Sequence, residues 1–520
     1  MMWWIFVVLL CALFLFSFVL PKRIDKATSA FGSAEFGKPN YHKRNHGVCI
    51  NGKERLSTQD SFRHICLIAG SGGSGGAKGG KSTTYVIPSI LRLAREKRKK
   101  HQASIVILDI KGSLHTLLSG YLEEQGYSVV SIDFTNPPKS DTYNPLSRIR
   151  SEQESKEFAF ELFDLSNQYK STEGIWRVGA SMILFWLIEL LRQIGEPYCT
   201  IANLTRLLYQ VDNGTPVIEQ LIQTHLPNTS IQLQYKAFMQ SDGKLRSSQL
   251  ATAISTLIEY DTQDIKSLTS DDTLYFNLIR KRKTAIFIKT PVASGNHSHL
   301  ITIFFRQLLQ YFLETPVRKD DLPVYCLLDE FGNLGKIGSN NTFVQALTLL
   351  RSQKISLSLI LQDISQLQSV YGNDQAKGIL SGCGHILAYP GIRGDSISYL
   401  SKQLGTSTFE FLEEEKQKRV ARPLHTFTEI REMLYGICLP SSAQASKFDL
   451  YPIFSQKRLM RKCGIVSQDG SLRSSFPPSS PKYPRTPMKI LEFAVQETTQ
   501  DPGLSFDERL KQLLKKKTNG

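Results

Sequence analysis

The sequence predicts a parallel α/β fold carrying an all-helical insertion and one N-terminal transmembrane helix. Three observations predict it. Seven short apolar runs rich in Val, Ile and Leu do not alternate with polar residues, as strands buried on both faces should not. A glycine-rich loop ending in Lys-Ser separates the first of these runs from a helical stretch. Residues 151–274 show helical periodicity and almost no strand signal.

The first element is Met2 to Leu20, an uncharged apolar run with Ser17 as its single hydroxyl. At ~1.5 Å per residue a helix of that length covers the ~30 Å hydrocarbon core. A cleaved signal peptide needs a basic residue ahead of a shorter run, and no Lys or Arg precedes this one. Lys22, Arg23 and Lys26 follow at once, which places the bulk of the chain on the cytoplasmic side as a single-pass protein. The second apolar stretch, Val178 to Leu191, carries Glu189 and is too short to span, so a buried core helix is expected.

Residues 1–21 therefore read as an anchor and 22–62 as a polar juxtamembrane linker with a short strand from Gly47 to Ile50. The expected strands are His64–Ala69, Ser104–Ile110, Tyr127–Asp133, Ala285–Lys289, Val324–Asp329, Ile355–Gln362 and His385–Tyr389. They divide one discontinuous α/β domain into 63–150 and 275–464, with the helical domain 151–274 inserted between. Residues 465–520 form a Ser/Pro-rich linker and basic tail, with Phe506, Leu510, Leu513 and Leu514 on one face of a short helix.

Composition bounds the function. The chain has 520 residues, 63 Lys and Arg against 47 Asp and Glu, and a net charge of +16, which favours polyanionic partners. Its eight cysteines are scattered without metal-ligand spacing, so neither a disulfide scaffold nor a zinc ribbon is expected and a reducing compartment fits. His297 and His299 lack a Cys or carboxylate partner in sequence and make a weak metal candidate.

The sharpest motif is GGAKGGKS, residues 75–82, which matches G-x-x-x-x-G-K-[ST] from Gly75 to Ser82. Glycines such as Gly75 and Gly80 let backbone N–H groups converge on phosphates at a helix N-terminus, where Thr83 begins the helix. Lys81 supplies a point charge to the β and γ phosphates, and the Ser82 hydroxyl ligates Mg²⁺. ATP and Mg²⁺ are thus the expected cofactors. The run VYCLLDE ends in Asp329, expected on the metal, and Glu330, expected to orient or deprotonate the attacking water. Gln362 closes another strand where a γ-phosphate sensor would stand. Asp109 ends a third, without a second carboxylate beside it, and reads as structural.

Several motifs in order resemble the TraG/TraD-type coupling proteins of type IV secretion: ILDIKGS from Ile107, YNPL from Tyr143, LLDEFGNLGKI from Leu327, RSQKISLSLILQDISQL from Arg351, and RPL from Arg422. The resemblance covers roughly Arg63 to Leu424. It implies a RecA-like, membrane-anchored ATPase that assembles as a homo-hexamer in the inner membrane. It further implies delivery of relaxase-bound single-stranded DNA to type IV secretion channel proteins. Many members carry two membrane spans where this sequence shows one, and the glycine loop here is longer than theirs. Within that resemblance Arg351 is a candidate arginine acting on a neighbouring subunit's nucleotide. The alternatives are an FtsK-type double-stranded DNA translocase, which would normally bring a C-terminal winged-helix module, and a non-hydrolysing nucleotide-binding scaffold, which has no need of Glu330. No relaxase or nuclease constellation stands out. Two basic runs, Arg95 to His101 and Arg280 to Lys283, offer sequence-independent phosphate contacts.

Overall fold

A computed structural model describes residues 31–70, 80–110, 112–166, 174–212, 216–290, 298–338, 342–413, 416–464 and 488–492. The expected anchor, Gly75, His297 and the C-terminal helix lie outside these residues.

All seven expected strands form. They are β1 (Ile65–Ile68), β2 (Ser104–Asp109), β3 (Ser128–Asp133), β4 (Thr284–Lys289), β5 (Val324–Leu328), β6 (Ile355–Leu361) and β7 (His385–Ala388). Each pairs in parallel with its neighbours, in the order β7-β1-β6-β5-β2-β4-β3. Successive residues point to opposite faces: Val106 and Leu108 enter one apolar core, Ile105 and Ile107 the other. Both faces are covered, which explains the unalternated runs.

One edge carries elements that the expected strands omit. A hairpin joins β8 (Thr406–Glu413) to β9 (Lys416–Pro423), and β10 (Gly436–Pro440) and β11 (Ser446–Phe448) extend the main sheet antiparallel beyond β7.

The expected linker is only partly one. Within 31–62, Tyr41, Val48, Ile50 and Leu56 are buried in the second core, and the Ala34 N–H donates to the Thr406 carbonyl at 3.0 Å. The expected strand at 47–50 reduces to an isolated bridge between Cys49 and Arg55. Apolar residues spaced singly among Lys, Asn and Gly gave no periodic signal, yet they cover the sheet.

The insertion is helical as expected, from Glu152–Ser166 through Gly174–Ile194 to Gln263–Leu268, and it interrupts the chain between the paired strands β3 and β4. Gly174–Ile194 is long and apolar enough to cross a membrane, but its middle, Ile183 to Leu191, is buried against neighbouring helices. Glu189 is tolerated there because Arg192 pairs with it at 2.6 Å and the Ser155 hydroxyl donates at 2.7 Å. The insertion is tied to the sheet by the Tyr143 N–H on the Leu268 carbonyl at 3.0 Å and by Arg148 on Asp272 at 2.7 Å.

Candidate functional site

The sheet order builds the site. Neighbouring strands lie about 4.8 Å apart, so β6, inserted between β1 and β5, holds the chain leaving β1 and the acids leaving β5 about 10 Å apart. A lysine stem spans that gap. At the exit of β1, Gly70 lets the backbone pass the loop after β7: a Cβ there would meet the Gly391 carbonyl oxygen at 1.9 Å.

After the glycine loop the helix starts at Ser82, with a π-type first turn (Ser82–Val86) running into Ile87–Ala94. The Thr84 N–H and the Thr83 hydroxyl both donate to the Gly80 carbonyl, at 2.9 and 3.0 Å, which closes that turn. Lys81 precedes it with helical φ and ψ and projects across β6. Its Nζ stands 3.2 Å from Asp329 Oδ1 and donates to Glu330 Oε1 at 3.1 Å. The Ser82 hydroxyl donates to Asp329 Oδ2 at 3.1 Å.

Glu330 adopts a left-handed backbone, φ 55°, a conformation that costs a non-glycine residue about 1–2 kcal/mol. The turn aims its carboxylate back over the strand ends. Gln362 Nε2 donates to Glu330 Oε1 at 3.1 Å, and Asn333 Nδ2 donates to Oε2 at 2.8 Å. Gln362 is itself fixed by the helix that starts beside it. Asp363 and Gln366 form a capping box at the start of Ile364–Tyr371, and the Gln366 side chain also accepts the Gln362 N–H at 3.0 Å.

Six expected residues thus converge at the carboxyl ends of β1, β5 and β6: Gly80, Lys81, Ser82, Asp329, Glu330 and Gln362. Thr83 is adjacent but turned back onto Gly80. The side chains of Lys81, Asp329 and Glu330 are only 13, 13 and 22% exposed, so water screens their interactions weakly. Among the described residues one cation faces the two carboxylates. Asp329 Oδ1 is buried without an aligned hydrogen-bond donor. The Ser82 hydroxyl and the Asp329 carboxylate, whose Oδ1 has only an ion-pair partner, are a hard-oxygen donor set that fits Mg²⁺.

Asp109 stands apart from this cluster. Its carboxylate accepts the His115 N–H at 2.8 Å and so caps the helix Ser113–Glu124; burial pushes its pKa up, and the Asp329 charge adds to the shift. Arg351 lies at the opposite, amino-terminal end of the strands, ahead of β6, where its guanidinium donates to the Gly382 carbonyl at 2.7 Å. It does not reach its own Lys81 cluster. His299 Nδ1 lies 2.8 Å from Glu259, and no group of three or more metal-ligating His, Cys, Asp or Glu forms among the described residues. Asn333 stands inside the run LLDEFGNLGKI, which marks the residue without giving it a role. Its place three residues beyond Glu330 in the same turn brings its amide onto that carboxylate.

Known proteins resemble this chain in sequence and in fold. VirD4 of Rhizobium radiobacter is 25% identical over 341 residues, covering 64% of this chain and 47% of its own length. The conjugal transfer protein TraG of Escherichia coli is 25% identical over 360 residues, covering 63% and 54%. The chain thus spans about half the length of the curated relatives it matches. Two structures of the bacterial conjugative coupling protein TrwB share the fold. The unbound form superposes with a TM-score of 0.61 at 16% identity, over 83% of this chain and 96% of that one. The complex with ADP and Mg²⁺ gives 0.59 at 16%, over 81% and 96%. The family model for type IV secretory system conjugative DNA transfer matches residues 26–426. By that match the chain belongs to the type IV secretory system conjugative DNA transfer family.

Proposed function

We propose that the chain is a membrane-anchored ATPase that couples relaxase-bound single-stranded DNA to the proteins of a type IV secretion channel. The observation that carries the reading is the convergence of Lys81, Ser82, Asp329, Glu330 and Gln362 from three strands onto one buried cluster. ATP with Mg²⁺ supplies a phosphoanhydride whose cleavage can drive movement of a bound substrate. Lys81, free to leave its carboxylates, neutralises phosphate oxygen; Gly80 and the N–H groups of the first helical turn bind the same anion. Ser82 and Asp329 would hold the Mg²⁺. Glu330 accepts a proton from water, and Asn333 and Gln362 fix its two oxygens so that the carboxylate points one way.

Family membership and the TrwB-like fold support the coupling role over a double-stranded DNA translocase. Glu330 argues against a passive scaffold, since nothing in mere binding requires a second carboxylate held by two amides. The described residues of the helical unit 151–274 contribute no side chain to the cluster, and the unit is assigned substrate selection; residues 2–20 are assigned the single membrane span. A homo-hexamer, with Arg351 of each subunit serving its neighbour, completes the reading. The test is the ATPase of Glu330→Gln beside that of the unaltered chain. Retained nucleotide binding with lost turnover supports the assignment; unchanged turnover refutes it.

A further inference from the structure

A short segment far beyond the main fold is seated on the helical unit. Residues 488–492 lie beside the first turn of the helix Ile201–Asp212, separated from Gly464 by the 23 residues 465–487. The seat is Asn203, whose side chain is fully buried. Its Nδ2 donates to the Tyr198 carbonyl at 2.9 Å and to the Lys489 carbonyl at 3.0 Å, and stands 3.2 Å from the Thr200 hydroxyl. Its Oδ1 accepts the Leu491 N–H at 2.9 Å. The orientation of the amide is fixed by these partners, because a flip would turn its oxygen onto two carbonyls.

One side chain therefore reads a C=O and an N–H two residues apart, the spacing that a strand edge presents to its partner. Main-chain recognition of this kind does not depend on side-chain identity. The side chains add a pattern instead. Leu491 packs on the core of the helical unit, Met488 and Ile490 are half-buried, and Lys489 and Glu492 are exposed.

We infer that the Asn203 seat is a peptide-binding site for an extended segment with apolar side chains around an exposed position, and that residues 488–492 are its built-in occupant. A ligand tethered in cis competes at an effective concentration on the order of millimolar. A peptide from another protein gains the seat only when the tail leaves it, so tail release governs access. The site lies on the unit assigned substrate selection, but the inference stands independently of that assignment because its test reads peptide binding alone.

The experiment uses the full chain in detergent and a fluorescent peptide of residues 486–496, read by anisotropy. Leu491→Pro in the chain removes the N–H that Asn203 accepts and leaves the helical unit untouched. The peptide is expected to bind this variant about three- to tenfold more tightly than the unaltered chain, because the tail that competes for the seat has lost the same N–H. A second peptide, N-methylated at the position of Leu491, lacks that N–H and is expected to bind about three- to tenfold more weakly. Equal affinity for the two chains, no binding to either, or indifference to N-methylation would each overturn the inference.

Discussion

Lys81 is the residue on which the site's electrostatics turn, because among the described residues it is the cation set between Asp329 and Glu330. Lys81→Ala is predicted to abolish ATP hydrolysis, and also to lower the stability of the nucleotide-free chain by about 1–3 kcal/mol, since two largely buried carboxylates lose their counter-charge. Thermal melting without nucleotide checks the second effect; an unchanged midpoint would show that the ion pairs contribute nothing. Glu330→Gln keeps an oxygen for Lys81 and removes the proton acceptor, so turnover should fall about 10²–10⁴-fold with binding retained. His64 gives a pH prediction. Its Nδ1 accepts the Leu357 N–H at 3.1 Å and its Nε2 donates to the Leu347 carbonyl at 2.6 Å, a pattern that only the neutral ring can make. Burial lowers its pKa to about 4. The folded chain thus binds fewer protons than the unfolded one between pH 6.5 and about 4, so its stability falls as pH drops through that window. Melting midpoints of the unaltered chain and His64→Gln, compared at pH 7 and 5, should show a smaller acid-induced drop in the variant. Equal drops would remove His64 from the account. At this scale the sequence was legible where a residue's type is its function, as for Lys81 and Ser82. It marked Asn333 within a motif but assigned it no role, and it was silent on the left-handed turn at Glu330; both depend on where a loop folds back.

The strands were the most legible elements because burial on both faces writes itself as an unbroken apolar run, and all seven parallel strands carry one. Strands held in place by pairing alone left no such mark. The β9 strand reads KQKRVARP and is set by its hairpin partner, while β10 and β11 are short and sit at the antiparallel edge. Residues 31–62 were illegible for a related reason, since scattered Tyr41, Val48, Ile50 and Leu56 form a cover with no period. The helical unit yields the element-scale prediction. Its two ends meet where the Thr142 N–H donates to the Thr273 hydroxyl at 3.0 Å, so residues 151–268 can be replaced by a short linker without separating β3 from β4. That deletion is predicted to retain nucleotide affinity within about threefold and to lose substrate selection, because every ligand proposed for the nucleotide lies outside it. Circular dichroism must first establish that the remainder folds. A folded deletion that still transfers its normal substrate would end the selection role.

Across the whole molecule assembly decides the role of Arg351, which stands at the end of the strands opposite its own cluster and can serve catalysis only through a neighbour. An arginine supplied between subunits is worth about 10³–10⁵ in rate. Mixing Arg351→Ala with Lys81→Ala chains is predicted to recover part of the ATPase, since an intact Lys81 site then meets an intact arginine. No recovery in rings of confirmed composition would confine Arg351 to its bond with Gly382. The most direct test of the central claim is the steady-state ATPase of the full chain in a lipid bilayer, with and without single-stranded DNA. Hydrolysis is expected to rise severalfold with DNA in the unaltered chain and to be absent, with or without DNA, in Glu330→Gln. Hydrolysis indifferent to DNA, or persisting at full rate in Glu330→Gln, would contradict the claim.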